Sequence, residues 1–141
     1  MLKGIPNILS PELLKILMEM GHGDELVIGD GNFPAANYGK RVVRLDGHSV
    51  PEILDAILSL YPLDTFQTPV YLMEKVPGDD TPTPIWDEYA AIIKKHNENG
   101  KTEFIERFAF YERTQKAYAV VATSESALYA NIILKKGVIK G

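Results

Sequence analysis

The groups in this 141-residue chain with acid-base potential are three histidines and a set of acids, since the chain has zero cysteines and therefore no thiol nucleophile. His22 stands in Gly21-His22-Gly23-Asp24, where the glycines let the backbone turn sharply and leave the imidazole approachable. A histidine with an ordinary pKa of about 6.5 can both give and take a proton near neutrality, as general acid-base catalysis requires. The competing reading is a surface turn that gathers glycine and aspartate for conformational reasons. Asp30 is the second candidate, because it closes an apolar run and a carboxylate ending a strand of an α/β sheet faces the usual ligand crevice. It could hold a hydroxyl group or orient His22; alternatively it folds back on its own backbone in a turn. His48 reads as a polar-turn residue, and His96 in Lys94-Lys95-His96 as a positive helix end.

Two other chemistries use the same residues less well. His22, Asp24, Glu25 and Asp30 include suitable metal ligands, but their spacing matches no established motif and nothing places a second histidine beside them. No metal site is expected. Gly29 and Gly31 do not form a dinucleotide fingerprint, because the third glycine is missing and no helix start follows.

The elements that must position these residues can be read from capping and periodicity. Ser10-Pro11-Glu12 supplies a hydroxyl cap, a proline at the first helical position and an acid at the positive dipole end. The helix is predicted to run to Met20, with Leu13, Leu14, Leu17 and Met18 on one face and Gly21 as a left-handed stop. Residues 25–28 read as a buried strand, followed by a loop containing Phe33 and Pro34. A second strand is predicted over 41–45, and a helix after Ser49-Val50-Pro51 with Ile53, Leu54, Ile57, Leu58 and Tyr61 on one stripe. Residues 70–73 form a third strand, 77–84 a polar loop, and Pro84 starts a helix burying Ile85, Trp86, Tyr89 and Ile93, closed by the polar run 94–101. Segment 103–110 has both strand and helix character, 111–116 reads as helix, and 117–122 and 132–134 read as buried strands. This alternation predicts the α/β class: a single-domain, three-layer α/β/α sandwich around a mostly parallel or mixed sheet, with function-bearing loops at strand ends.

Composition removes further classes. A hydrophobic fraction of 45% and a charged fraction of 24% are those of a folded globular chain. The net charge of −4 argues against a nucleic-acid partner or an anionic membrane surface, and Lys135, Lys136 and Lys140 read as a solvated end. Pro6, Pro11, Glu12 and Lys15 interrupt any signal-peptide core and no window approaches ~18 apolar residues, so a cytoplasmic location is expected.

Three blocks then carry a resemblance: residues 9–14 (Leu-Ser-Pro-Glu-Leu-Leu) with 20–25 (Met-Gly-His-Gly-Asp-Glu), residues 107–113 (Arg-Phe-Ala-Phe-Tyr-Glu-Arg), and residues 129–137 (Tyr-Ala-Asn-Ile-Ile-Leu-Lys-Lys-Gly). Asp30 with Asn32-Phe33-Pro34, Arg44 with Asp46-Gly47, and Thr83-Pro84-Ile85-Trp86 extend it over nearly the whole chain. The chain resembles the fucose mutarotase and ribose pyranase family, the fucose branch more than the ribose branch. The resemblance implies interconversion of the anomers of a free monosaccharide such as L-fucose, no cofactor, and a ring-shaped homo-oligomer with active sites near subunit boundaries. It implies His22 as proton donor, and Asp30, Arg107 and the segment Tyr129, Ala130 and Asn131 as sugar contacts. From the residues alone, Arg107 could be a salt-bridge partner, Tyr129 a packed aromatic and Asn131 a turn residue. Phe33, Trp86 and Tyr111 are candidate apolar walls for a sugar methyl group. Ribose pyranase activity and noncatalytic sugar binding are the alternatives.

Overall fold

The computed structural model describes residues 1–96 and 98–141, so residue 97 of the polar run predicted to close the third long helix lies outside it. Helix α1 (Pro11–Glu19) begins as its sequence dictates: the Ser10 hydroxyl accepts from the Leu13 N–H at 3.2 Å, and Pro11 enters the first turn. Its end differs from expectation. Met20 leaves the helix in extended conformation, and the left-handed glycine is Gly23 (φ 86°) rather than Gly21. The helix can end without a glycine because the Lys136 ammonium donates to the Leu17 and Met20 carbonyls at 3.0 and 2.5 Å. Lys136 is therefore a helix cap. Lys135 is buried and bonded to Gln67, so neither lysine belongs to a solvated tail.

After β1 (Glu25–Gly29) come the single-turn α2 (Ala35–Tyr38), β2 (Val42–Leu45), α3 (Val50–Leu58), β3 (Val70–Met73) and α4 (Pro84–Lys95). The chain closes with β4 (Thr102–Ile105), α5 (Arg107–Lys116), β5 (Ala119–Thr123) and β6 (Ile132–Lys135). The ambiguous segment 103–110 resolves into β4 followed by α5, which starts at Arg107 and not at residue 111. Glu106 is its cap, with its carboxylate accepting from the Phe108 and Ala109 N–H groups at 2.9 and 3.1 Å. α2 falls within the predicted loop, since one turn leaves no periodicity to detect.

The six strands form one sheet in the order β2-β5-β1-β6-β3-β4. Strands β1, β2 and β5 pair in parallel, as do β3 and β4, while β6 runs antiparallel between β1 and β3. Five strands thus point one way and β6 the other, which is the mixed form of the predicted sheet. Its central strands are buried on both faces, as their continuous apolar runs require. One face carries the larger apolar cluster beneath α1, α3 and α4, including Leu13, Ile53, Ile57, Tyr89 and Leu134. The other carries a smaller cluster around Val27, Tyr71, Phe110 and Val120 beneath α2 and α5. The outcome is the three-layer α/β/α arrangement.

Strand polarity fixes which residues can meet. The C-terminal ends of the parallel strands and the N-terminal end of β6 lie along one edge of the sheet, bringing Asp30, Glu74, Arg107 and Asn131 to that edge. The opposite edge holds the loop before β1, the loop before β3 and Lys136 after β6.

Candidate functional site

A cavity of about 280 Å³ opens at the first edge, over the start of β6 and between β1 and β3. Asp30, Arg107, Tyr129 and Asn131 all line it, with Phe33, Met73, Val76, Tyr111 and Leu128 supplying apolar wall. Asp30 is 7% exposed; its N–H donates to the Asn131 side-chain oxygen at 2.8 Å, and its carboxylate accepts from the Asn32 N–H at 3.0 Å. Burial raises the Asp30 pKa above the ordinary 3.8, against the opposing pull of the Asn32, Ala130 and Phe33 N–H groups, and the nearby Glu125 adds to the rise. The result is a carboxylate whose hydration has been stripped and which gains from a ligand hydroxyl.

Gly29 is required beside it. A Cβ there would stand 2.7 Å from the Phe33 side chain, so only glycine lets that ring lie against the end of β1 and wall the cavity. The Phe33 ring meets Phe110 and Tyr111 edge-on, and Tyr111 stacks on Tyr38 at 4.9 Å. Arg107 begins α5 and donates through Nε to the Tyr111 hydroxyl at 3.0 Å, which aims an exposed guanidinium across the cavity mouth. Ala130 is fully buried and does not line the cavity; its carbonyl accepts from Tyr89 at 2.6 Å. Trp86 is not part of the lining; its indole N–H donates to the Tyr129 carbonyl at 2.7 Å and its ring packs on Phe104.

His22 is not in this cavity. It precedes β1 whereas Asp30 follows it, and at ~3.3 Å per residue the strand alone separates the two by roughly 13 Å. The Gly23 N–H donates to the Lys136 carbonyl at 2.8 Å, which ties the turn to the far end of β6. The candidate metal set of His22, Asp24, Glu25 and Asp30 accordingly does not converge: Asp24 accepts from the Gly21 N–H, and Glu25 is engaged by Arg113 at 2.7 Å.

What His22 meets is Asp64, whose Oδ1 lies 3.0 Å from Nε2. A carboxylate can only accept, so Nε2 carries the hydrogen and a neutral ring keeps Nδ1 free to exchange a proton. The His22 side chain is 45% exposed and that of Asp64 2%. Burial pushes the Asp64 carboxyl up, but hydrogen bonds from His22 and from the Phe66 and Gln67 N–H groups outweigh it and hold the pKa below the ordinary value. The exposed Phe66 ring packs on the imidazole with centroids 5.4 Å apart. Asp64 and Phe66 were missed from the sequence; Asp64 bonded to two succeeding N–H groups is a local turn signature that reveals nothing of a partner 42 positions away. Asp79, also in the lining, comes from the polar loop 77–84, whose composition alone marks no site.

Among known proteins, the chain is similar to the fucose mutarotase of Danio rerio, 52% identical across 98% of this chain and 94% of the relative. Among solved structures it is similar to the fucose mutarotase from Streptococcus pneumoniae in complex with L-fucose, at 51% identity and a TM-score of 0.94, covering 99% of this chain and 100% of that one. It is likewise similar to FucU from Bifidobacterium longum, at 61% identity and a TM-score of 0.95 over 98% and 100% of the two chains. With residues 3–139 also matching the family as a whole, the chain belongs to the RbsD / FucU transport protein family.

Proposed function

We propose that the chain is an L-fucose mutarotase, interconverting the α and β anomers of the free sugar, and that each active site is completed by His22 of a second copy. The observation that carries the reading is the convergence of Asp30, Arg107, Tyr129 and Asn131 on one cavity in a chain about half identical to fucose mutarotases. Anomers exchange through the open aldehyde, so one group must protonate the ring oxygen while another removes the proton of the anomeric hydroxyl; positioned acid-base catalysis contributes about 10²- to 10⁴-fold. The cavity's hydrogen-bonding groups hold the sugar hydroxyls, and Phe33, Tyr111 and Leu128 offer an apolar surface suited to the methyl group of a 6-deoxy sugar.

The separation of His22 from Asp30 is the reason for a second copy: an imidazole with a free Nδ1 and a buried carboxylate behind it needs a substrate, and its own chain brings none to it. The surroundings of His22 support association. Met18, Leu60, Phe66 and Ile139 are exposed, and an apolar groove of about 470 Å³ runs beside Lys136, Leu17 and Pro62. A homo-oligomer in the cytoplasm is part of this reading; among the described residues no helix is long and apolar enough to cross a membrane.

The test mixes two inactive variants. His22→Ala and Asp30→Asn, each measured by magnetization-exchange NMR on equilibrated L-fucose, should both lose acceleration, and after subunit exchange an equal mixture should recover about a quarter of the wild-type sites. No recovery from a mixture shown to form hybrid oligomers refutes completion by a second copy. Parallel measurement on D-ribose separates fucose preference from ribose pyranase activity, and a wild type that binds fucose without speeding exchange is a sugar-binding protein.

A further inference from the structure

Tyr129 has φ 56°, and among the described residues it is the one non-glycine residue with positive φ. An aromatic side chain in the left-handed region is strained, and it persists there only where its surroundings over-determine it. Four contacts do so. The indole N–H of Trp86 binds the Tyr129 carbonyl, Tyr89 holds the next carbonyl, the Tyr129 hydroxyl donates to Asp79 Oδ2 at 2.5 Å, and its oxygen accepts from the Val76 N–H at 3.2 Å. Asp79 is itself fixed: its other oxygen accepts from the Thr81 N–H and hydroxyl at 2.9 and 2.6 Å, and its own N–H donates to the Val76 carbonyl at 3.0 Å.

A phenol has one hydrogen and two lone pairs. Here the hydrogen goes to Asp79 and one lone pair takes the Val76 N–H, which leaves a single lone pair for a ligand in the cavity that Tyr129, Asp79 and Val76 all line. We propose that Asp79 is a positioning residue of the sugar site: by taking the Tyr129 hydrogen it fixes the phenol rotor and makes Tyr129 an acceptor toward a sugar hydroxyl. The proposal rests on the mutarotase reading of the cavity. Asp79 orients the phenol and does not store its proton. Hydrogen bonds from Thr81 first and Tyr129 second hold the Asp79 carboxyl down to about 2, so it stays ionised at neutral pH, while the same contact pushes the Tyr129 phenol up and keeps it protonated. Without Asp79 the hydroxyl can turn its hydrogen into the cavity and oppose the donor it should receive.

The experiment is a double-mutant cycle with a spectroscopic arm. L-Fucose exchange is measured over a range of sugar concentrations for wild type, Asp79→Ala, Asp79→Asn, Tyr129→Phe and the Asp79→Ala/Tyr129→Phe pair, with thermal melts to show that each is folded. Asp79→Ala should lower kcat/KM about tenfold in the wild-type background, the scale of one oriented hydrogen bond, and have no effect once Tyr129 is phenylalanine. Asp79→Asn, whose amide oxygen can still accept from the phenol, should restore most of the loss. Equal losses in both backgrounds, or no loss in either, overturn the proposal. Ultraviolet difference titration, with Tyr129→Phe identifying the transition, should show Tyr129 ionising at lower pH in Asp79→Ala than in wild type; an unmoved transition overturns it independently. A wild type that does not accelerate exchange overturns the functional reading instead, and the titration then decides the Asp79 contact alone.

Discussion

The two ends of β1 are built to opposite plans. At the Asp30 end, side chains from the ends of β1 and β3, the start of α5 and the approach to β6 enclose a small space with hydrogen-bonding groups turned inward. At the His22 end, a half-exposed imidazole leans on a buried carboxylate and an exposed phenyl ring, and it lies outside the cavity that Asp30 lines. One end can recognise a polyhydroxylated ligand but offers only carboxylate, guanidinium and phenol as ionisable groups; the other has the group best matched to proton transfer at neutral pH. On the proposed reading, the contrast teaches that recognition and proton transfer are assigned to surfaces a strand's length apart, each adjustable without disturbing the other.

The sharpest way to break that division is at His22. His22→Ala should lower the anomer-exchange rate by about 10²-fold or more while fucose affinity, measured by calorimetry, stays within about threefold of wild type. Loss of affinity in step with rate means that the imidazole also binds, and the division fails. Asp30→Ala should do the reverse in kind and less in degree. Removing the buried carboxylate proposed to accept sugar hydroxyls should weaken fucose binding about 10- to 100-fold, the scale of a charge-assisted hydrogen bond. Unchanged affinity there takes recognition away from the β1 terminus.

The smallest effect is acidic and its sign differs between the ends. Asp64 has a lowered pKa in the fold, so its contribution to stability is present above the unfolded value of 3.8 and is lost as pH falls through its depressed folded value. Asp30 has a raised pKa, so its ionisation costs stability, and that cost is relieved as pH falls through the raised value toward 3.8. Carboxyl-carbon NMR should therefore show Asp30 titrating above 3.8 and Asp64 below it, with fucose affinity weakening in acid before the His22–Asp64 contact breaks. The reverse order removes the electrostatic distinction between the two ends.

Much of the scaffold was legible because capping and periodicity are local. Ser10-Pro11 and Ser49 start α1 and α3 as read, and the apolar run 70–73 is β3. What escaped notice depended on contacts distant in sequence. A glutamate cap and weak amphipathicity hid the start of α5, and a lysine more than a hundred residues away replaced the glycine stop of α1. The cavity residues followed from family motifs, since nothing in the spacing of Arg107 and Asn131 says that β4 and β6 bring them to one edge. The separation of His22 from Asp30 was implicit in their places before and after a predicted strand, but eight positions along a chain look like proximity until the strand is drawn at its full extension.

The sheet also divides the apolar interior unequally, and two walls of the Asp30 cavity, Phe33 and Met73, belong to the smaller cluster. The larger cluster beneath α1, α3 and α4 shares no residue with that lining. Substitutions that reshape the ligand preference can thus accumulate on one side while the bulk of the folding energy is held on the other, leaving room for drift toward new monosaccharides.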